Sequence, residues 1–292
     1  MPEPRLIIST ASRKDLSTWL VTYGCLRARF PAAQINLTVP GSDLHLFQSS
    51  CSGSLLEIQS DSDVLPAAII RKIAERAGAR QGWYVQQLVK ISVAMAKRLN
   101  YETLMIWDAD SIPGRNFQIV DGTGTILFGY TSEYHPPYFD QISRLLGLEK
   151  VIKGSFIAQY MTLKDSWLER LHIDLGGDDE WLERLTETIV FSEPSGFSEY
   201  ELLGTYVHTN FPDEFRPHAS FTVLRRGNSL LGGVNARSSF LTRCARRLFC
   251  VVCYESYDNT GQPKTTGYWL LLIELFRQIT RGHAAKSARQ SS

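Results

Sequence analysis

The run Leu104-Met105-Ile106-Trp107, followed at once by Asp108-Ala109-Asp110, constrains this chain more than any other stretch. Four successive apolar residues read as a buried strand. Side chains alternate along an extended backbone, so the two aspartates share one side where the strand leaves the core. A buried, unpaired pair of carboxylates is costly. Two hard oxygen donors placed this way suit Mg²⁺ or Mn²⁺, ions that bind carboxylates together with a substrate phosphate.

The surrounding pattern supplies the sheet that such a strand needs. Residues 6–8 and 35–39 form short apolar strands, and 55–58 is a third. Helical spacing runs through Leu16, Leu20, Tyr23 and Leu26. Residues 66–79 read as a helix. Residues 83–99 carry Val85, Leu88, Val89, Val93 and Ala96 on one stripe. Strand, helix and strand in this rhythm predict an α/β fold, with a mostly parallel central sheet flanked by helices. Farther on, strands are expected at 126–130 and 155–162, and helices at 141–148, 167–173, 179–189, 198–207 and 266–279. The segment Glu133-Tyr134-His135-Pro136-Pro137-Tyr138-Phe139 reads as a rigid loop, of a kind that often lines a pocket.

At 292 residues the chain accommodates one large α/β domain. Its net charge of +1 conceals an asymmetry. From Arg225 onward 11 Lys and Arg stand against 3 Asp and Glu, whereas 20 basic and 27 acidic residues precede it. The expected organisation is a domain over 1–224 and a basic, apolar C-terminal extension over 225–292. That extension either packs on the domain or touches an anionic membrane surface, with Arg243, Arg246, Arg247 and the apolar stretch around Trp269 as its contacts. Nucleic acid is excluded as a partner, because the basic excess carries no recognisable binding motif. The odd set Cys25, Cys51, Cys244, Cys250 and Cys253 argues against a disulfide framework, and no second pair has zinc spacing. With no signal peptide and no apolar run of membrane-spanning length, the expected location is cytoplasmic.

Several residues join the aspartates as candidates. Gln86 and Lys90 are four apart on one helical face, and a lysine beside a diphosphate supplies a point charge. The loop after the first strand, with Thr10, Arg13 and Lys14, lies where a nucleotide sits in a doubly wound sheet. In Ser198-Glu199-Tyr200-Glu201, a capping box accounts for Ser198 and Glu201. That leaves Glu199 in the first helical turn, free to accept a proton. His208 and His218 offer imidazoles to a metal.

Four stretches in this order resemble GT-A-type nucleotide-sugar glycosyltransferases, and one bacterial group of them in particular. They are Gly82-Trp83-Tyr84-Val85-Gln86-Gln87-Leu88-Val89-Lys90, Trp107-Asp108-Ala109-Asp110, His135-Pro136-Pro137-Tyr138-Phe139 and Ser195-Gly196-Phe197-Ser198-Glu199-Tyr200-Glu201. The resemblance implies a Rossmann-like GT-A fold and metal-dependent transfer of a sugar from a nucleotide-diphosphate donor to a hydroxyl acceptor. The setting it implies is bacterial surface glycan synthesis, with a glycan or lipid-linked acceptor at the inner face of the membrane. On this reading Asp110 holds Mn²⁺ or Mg²⁺ directly, and Asp108 contacts the metal or the donor. Thr10, Arg13, Gln86 and Lys90 contact the donor, while His135 and Tyr138 face the acceptor. Glu199 is the catalytic base, which would make the enzyme inverting, and a late histidine, His218 or His208, completes the metal shell. The rival readings are a phosphatase of the haloacid dehalogenase type and a non-catalytic module that binds sugar nucleotides or membrane.

Overall fold

The computed structural model describes residues 3–177, 180–218, 223–236, 240–255 and 258. The expected helix at 266–279 and most of the basic tail lie outside them.

The chain runs β1 (Leu6–Thr10), α1 (Leu16–Arg29), β2 (Gln34–Val39), α2 (Leu44–Ser50), β3 (Leu56–Ser60), α3 (Asp61–Val64), α4 (Ala67–Ala77), α5 (Gln81–Lys97) and β4 (Thr103–Trp107). Next come β5 (Ser111–Pro113), β6 (Ile126–Phe128), α6 (Pro136–Leu146), β7 (Tyr160–Lys164), α7 (Asp165–Asp174), α8 (Trp181–Glu187) and α9 (Glu199–Asn210). The last described elements are β8 (Phe215–Pro217), β9 (Val223–Leu224), α10 (Gly227–Leu231), α11 (Phe240–Leu248) and β10 (Val251–Cys253).

The main sheet has the order β3-β2-β1-β4-β7 and is mostly parallel, as the alternating pattern predicts. The first four strands are parallel, and β7 returns antiparallel to β4, with Trp107 opposite Tyr160. In β1 and β4 every core residue from Leu6 to Ile8 and from Leu104 to Trp107 is 0% exposed. Burial of both faces is what a covered parallel sheet requires. Helix α5 packs on β1 and β4, and α7 on β7.

Two segments differ from expectation. Pro136 and Pro137 open helix α6 at its first positions, with His135 as its N-cap residue. Proline suits the first turn because its missing N–H has no intrahelical partner there, so this segment is a helix start and not a rigid loop. The strand expected at 155–162 begins only at Tyr160, because Gln159 takes a left-handed backbone.

The described part of the C-terminal region is woven into the body. β10 pairs antiparallel with β5, Cys253 lying opposite Ser111, and parallel with β9. Ile112, Leu224, Leu230, Phe249 and Val252 form a second small core there. Arg246, expected on a membrane face, instead donates to the Pro113 carbonyl at 3.3 Å. No helix among the described residues is long and apolar enough to cross a membrane.

Candidate active site at the carboxyl end of β4

The sequence lets Asp108 leave the strand in only one direction. Trp107 is packed edge-on against Phe117 at 5.2 Å and stacked on Tyr160 at 5.8 Å. Its indole N–H donates to the Ser111 carbonyl at 2.8 Å, and Ser111 N–H donates to the Asp108 carbonyl at 3.0 Å. Ser9, on the neighbouring β1, donates its hydroxyl to the Trp107 carbonyl at 2.8 Å. These bonds hold residues 108–110 as a tight turn at the carboxyl end of β4, beside the carboxyl end of β1.

Asp108 is not open to a ligand on all sides. Its Oδ1 accepts from Lys90 Nζ at 2.8 Å and from the Tyr200 hydroxyl at 2.9 Å. Lys90 also ion-pairs with Glu199 Oε1, and its ammonium lies 4.8 Å from the centroid of the Tyr200 ring. Lysine is almost never fully buried unless paired. Lys90, 3% exposed, is paired twice. Burial alone would lower its pKa, but Asp108 and Glu199 together raise it. Glu199 is 0% exposed, and Oε2 has no hydrogen-bond partner. Its carboxyl is pushed up to about 7, first by burial, which outweighs the downward pull of Lys90 and is reinforced by Asp108. One ammonium between two carboxylates leaves a single negative charge over. Burial and that surplus charge together are what raise the Glu199 carboxyl.

Asp110 has different surroundings. Its side chain accepts only from the Ser111 hydroxyl at 3.2 Å, and no basic side chain pairs with it among the described residues. Burial pushes its pKa up to about 7, with further contributions from the carboxylates of Asp108, Glu255 and Asp15. An accumulation of unneutralised oxygen donors is the chemistry that a divalent cation relieves, so Asp110, with Asp108 beside it, fits such an ion.

The other expected residues separate into two groups. The four stretches behind the family resemblance do meet. The Tyr84 hydroxyl donates to the Glu193 carbonyl at 2.7 Å and accepts from Gly196 N–H at 2.8 Å. His135 Nε2 lies 2.8 Å from the Ser195 carbonyl, and Tyr138 packs edge-on against His135. Tyr138 is 5% exposed and braces the site without lining an open face, whereas His135 is half-buried. Gln86 is half-buried one turn before Lys90. Thr10 ends β1 half-buried, but Arg13 is engaged by Asp43 through its backbone N–H at 2.8 Å and its guanidinium at 3.4 Å.

His218 does not join the aspartates. It lies 3.5 Å from Cys250 Sγ, at the Gly114–Cys250 end of the β5–β10 pair, whereas Asp110 adjoins the Cys253–Tyr254 end. Among the described residues no three His, Cys, Asp or Glu side chains form a metal-binding group. His208 packs on Phe156 and Phe215. The capping box is half formed. Ser198 Oγ accepts from Glu201 N–H at 3.4 Å, but the Glu201 carboxylate turns to Ser155 and to Phe156 N–H instead.

Three contributors are missed by sequence reasoning. Tyr200 follows Glu199 in the same stretch and was legible as its neighbour. Glu255 is one of three acids in the basic region after Arg225 and had no motif to mark it. It pairs with Arg225 at 3.1 Å, and Arg225 pairs in turn with Glu133. Gln159 donates its amide to Glu255 at 3.2 Å, and its carbonyl accepts from Asp108 N–H at 3.0 Å.

A cavity of about 270 Å³ opens alongside, lined by Lys14, Asp15, Ser17, Thr18, Asn228, Asn235 and Tyr254 among others. Tyr254 N–H donates to the Asp110 carbonyl at 2.8 Å, which places the cavity wall directly against the turn.

Among solved structures, the fold is similar to galactosyltransferase LgtC in complex with donor and acceptor sugar analogs. That likeness has 12% identity and a TM-score of 0.40, and covers 85% of this chain and 86% of that one. It is also similar to mouse xyloside xylosyltransferase 1 in its apo form, at 11% identity and a TM-score of 0.43, covering 89% and 99%. Comparison with curated proteins gives no match. Residues 21–215, a span that holds β4, its aspartates and Glu199, match the family of unknown function DUF6492, and the chain belongs to that family.

Proposed function

We propose that the protein transfers a sugar from a nucleotide-diphosphate donor to an acceptor hydroxyl, with a divalent cation held by Asp110 and Asp108. We assign the reaction to surface glycan synthesis in a bacterial cytoplasm. One observation carries the reading: both aspartates stand at the carboxyl end of β4, next to β1, where the strand order reverses. Open α/β sheets bind their ligands in the crevice at such a switch point. A polar cavity lined by Lys14, Asp15 and Tyr254 opens next to that turn, although neither Asp108 nor Asp110 lines it. The four stretches that carry the family resemblance point to the same chemistry.

Bound Mn²⁺ or Mg²⁺ would neutralise a leaving diphosphate. The chain's own groups do the rest. Lys90 stays charged between two carboxylates and fixes Asp108. Tyr200 restrains the same oxygen and limits its rotation. Glu199, expected to be the base, is sealed from solvent, so its part is to hold Lys90 in place rather than to meet an acceptor. This removes the argument for inversion that rested on an open Glu199.

A thermal-shift screen of nucleotides and nucleotide sugars, with and without Mn²⁺, tests the reading. The expected result is a shift that needs both ligands and is absent in Asp110→Ala, with slow donor hydrolysis in wild type. Release of phosphate from a simple phosphomonoester without any donor effect would favour the phosphatase reading. Nucleotide binding with no turnover would favour a binding module.

A further inference from the structure

We propose that Tyr134 is a stacking subsite for a pyranose ring, which makes the acceptor a glycan. The inference rests on the sugar-transfer reading and adds a substrate class and a residue to it. Tyr134 is 63% exposed. Its ring lies 5.4 Å from that of Phe139, and the Lys150 ammonium sits 4.0 Å from the Phe139 centroid and 5.5 Å from that of Tyr134. The ring is therefore held in place while one face stays in water. A side chain already ordered loses little freedom when a ligand lands on it.

Its position ties it to the site. Glu133, immediately before it, pairs with Arg225, which reaches Glu255 and through Gln159 the backbone of Asp108. His135, immediately after it, contacts the Ser195 carbonyl just ahead of Glu199. Tyr134 is thus carried by the chain between two residues that are each tied to the candidate site. Among the described residues the other large apolar side chains more than 60% exposed are Leu99, just before β4 at its amino end, and Phe240, at the start of α11.

The chemistry selects the occupant. A pyranose offers C–H groups on its face and hydroxyls around its edge. A single exposed aromatic ring with the ammonium of Lys150 beside it matches both. A lipid surface or a protein partner needs a broader apolar patch than one ring among charges.

Saturation-transfer NMR with the methyl glycosides of glucose, galactose, mannose and N-acetylglucosamine tests the subsite without donor or metal. The expected result is saturation of the C–H protons on one ring face, lost in Tyr134→Ala and kept in Tyr134→Phe. In transfer assays Tyr134→Ala should raise the acceptor KM about fivefold to tenfold, leaving kcat and donor hydrolysis unchanged. Equal saturation in Tyr134→Ala, or none in wild type, would overturn the subsite. Loss of the Mn²⁺-dependent donor shift with the NMR result intact would instead overturn the sugar-transfer reading alone.

Discussion

Gln159 holds Asp108 from a backbone conformation that glutamine disfavours: its carbonyl accepts the Asp108 N–H at 3.0 Å while its own φ is +65°. It is the sole non-glycine residue with positive φ among those described. Such a conformation costs an L-residue about 1–2 kcal/mol. Gln159→Gly relieves that strain but forfeits one buried amide bond to Glu255, itself worth about 1 kcal/mol. Its stability in urea should stay within about 1 kcal/mol of wild type. Gln159→Val, β-branched at the same φ, should lose about 2–3 kcal/mol. Equal losses in the two variants would show that backbone strain plays no part.

Lys90 is the centre of charge balance. Lys90→Met strands Glu199 in the core with no counter-ion, and breaking a buried pair from one side costs about 3–5 kcal/mol. Adding Glu199→Leu to it should recover a large share of that loss. Denaturant midpoints of the two single variants and the double variant give the coupling directly. Additive losses would refute the pairing.

Glu199 and Asp110 both have folded-state values raised to about 7. A carboxyl raised on folding contributes stability that is fully present below its unfolded value and is lost as pH rises through its folded value. Stability should therefore fall between about pH 4 and pH 7 in metal-free buffer. Every pH unit that separates the folded from the unfolded value is worth about 1.4 kcal/mol. Glu199→Gln should flatten roughly half of that slope, read from urea titrations at stepped pH. An unchanged slope would place the titration elsewhere.

Gly114 closes the contact between β5 and the chain after α11. A Cβ there would collide with the Phe249 carbonyl oxygen and lie 3.1 Å from that of Cys250. Both are backbone atoms and cannot rotate away. Gly114→Ala should cost about 3 kcal/mol or more and speed amide exchange across 249–254. Protection equal to wild type in that peptide would contradict the packing described.

The main sheet was legible because its signals are local. Apolar runs mark β1, β2 and β4, and the stripe on residues 83–99 marks α5. The placement of Asp108, Lys90 and Glu199 at one point could be anticipated only in part, since spacing put each on the right element but not in mutual contact. The sequence offered Lys90 to a diphosphate, and folding brought it to two carboxylates. Glu255 and Gln159, and the carboxylate partners of Arg225, were illegible for a different reason. Their partners lie far away along the chain, and none belongs to a periodic pattern. His218 was a choice by residue type, and the register of β5 on β10 places it at the wrong end. The Pro-Pro pair misled because proline punctuates loops and opens helices with equal ease.

The pairing of Ser111 with Cys253 has a temporal meaning. During synthesis the five-stranded sheet can assemble as soon as β7 has emerged, yet the wall beside Asp110 is missing until Tyr254 follows. A ribosome-bound chain that ends before Tyr254 would carry its acidic turn open to water on one flank, so the surroundings of Asp110 are completed only late in translation.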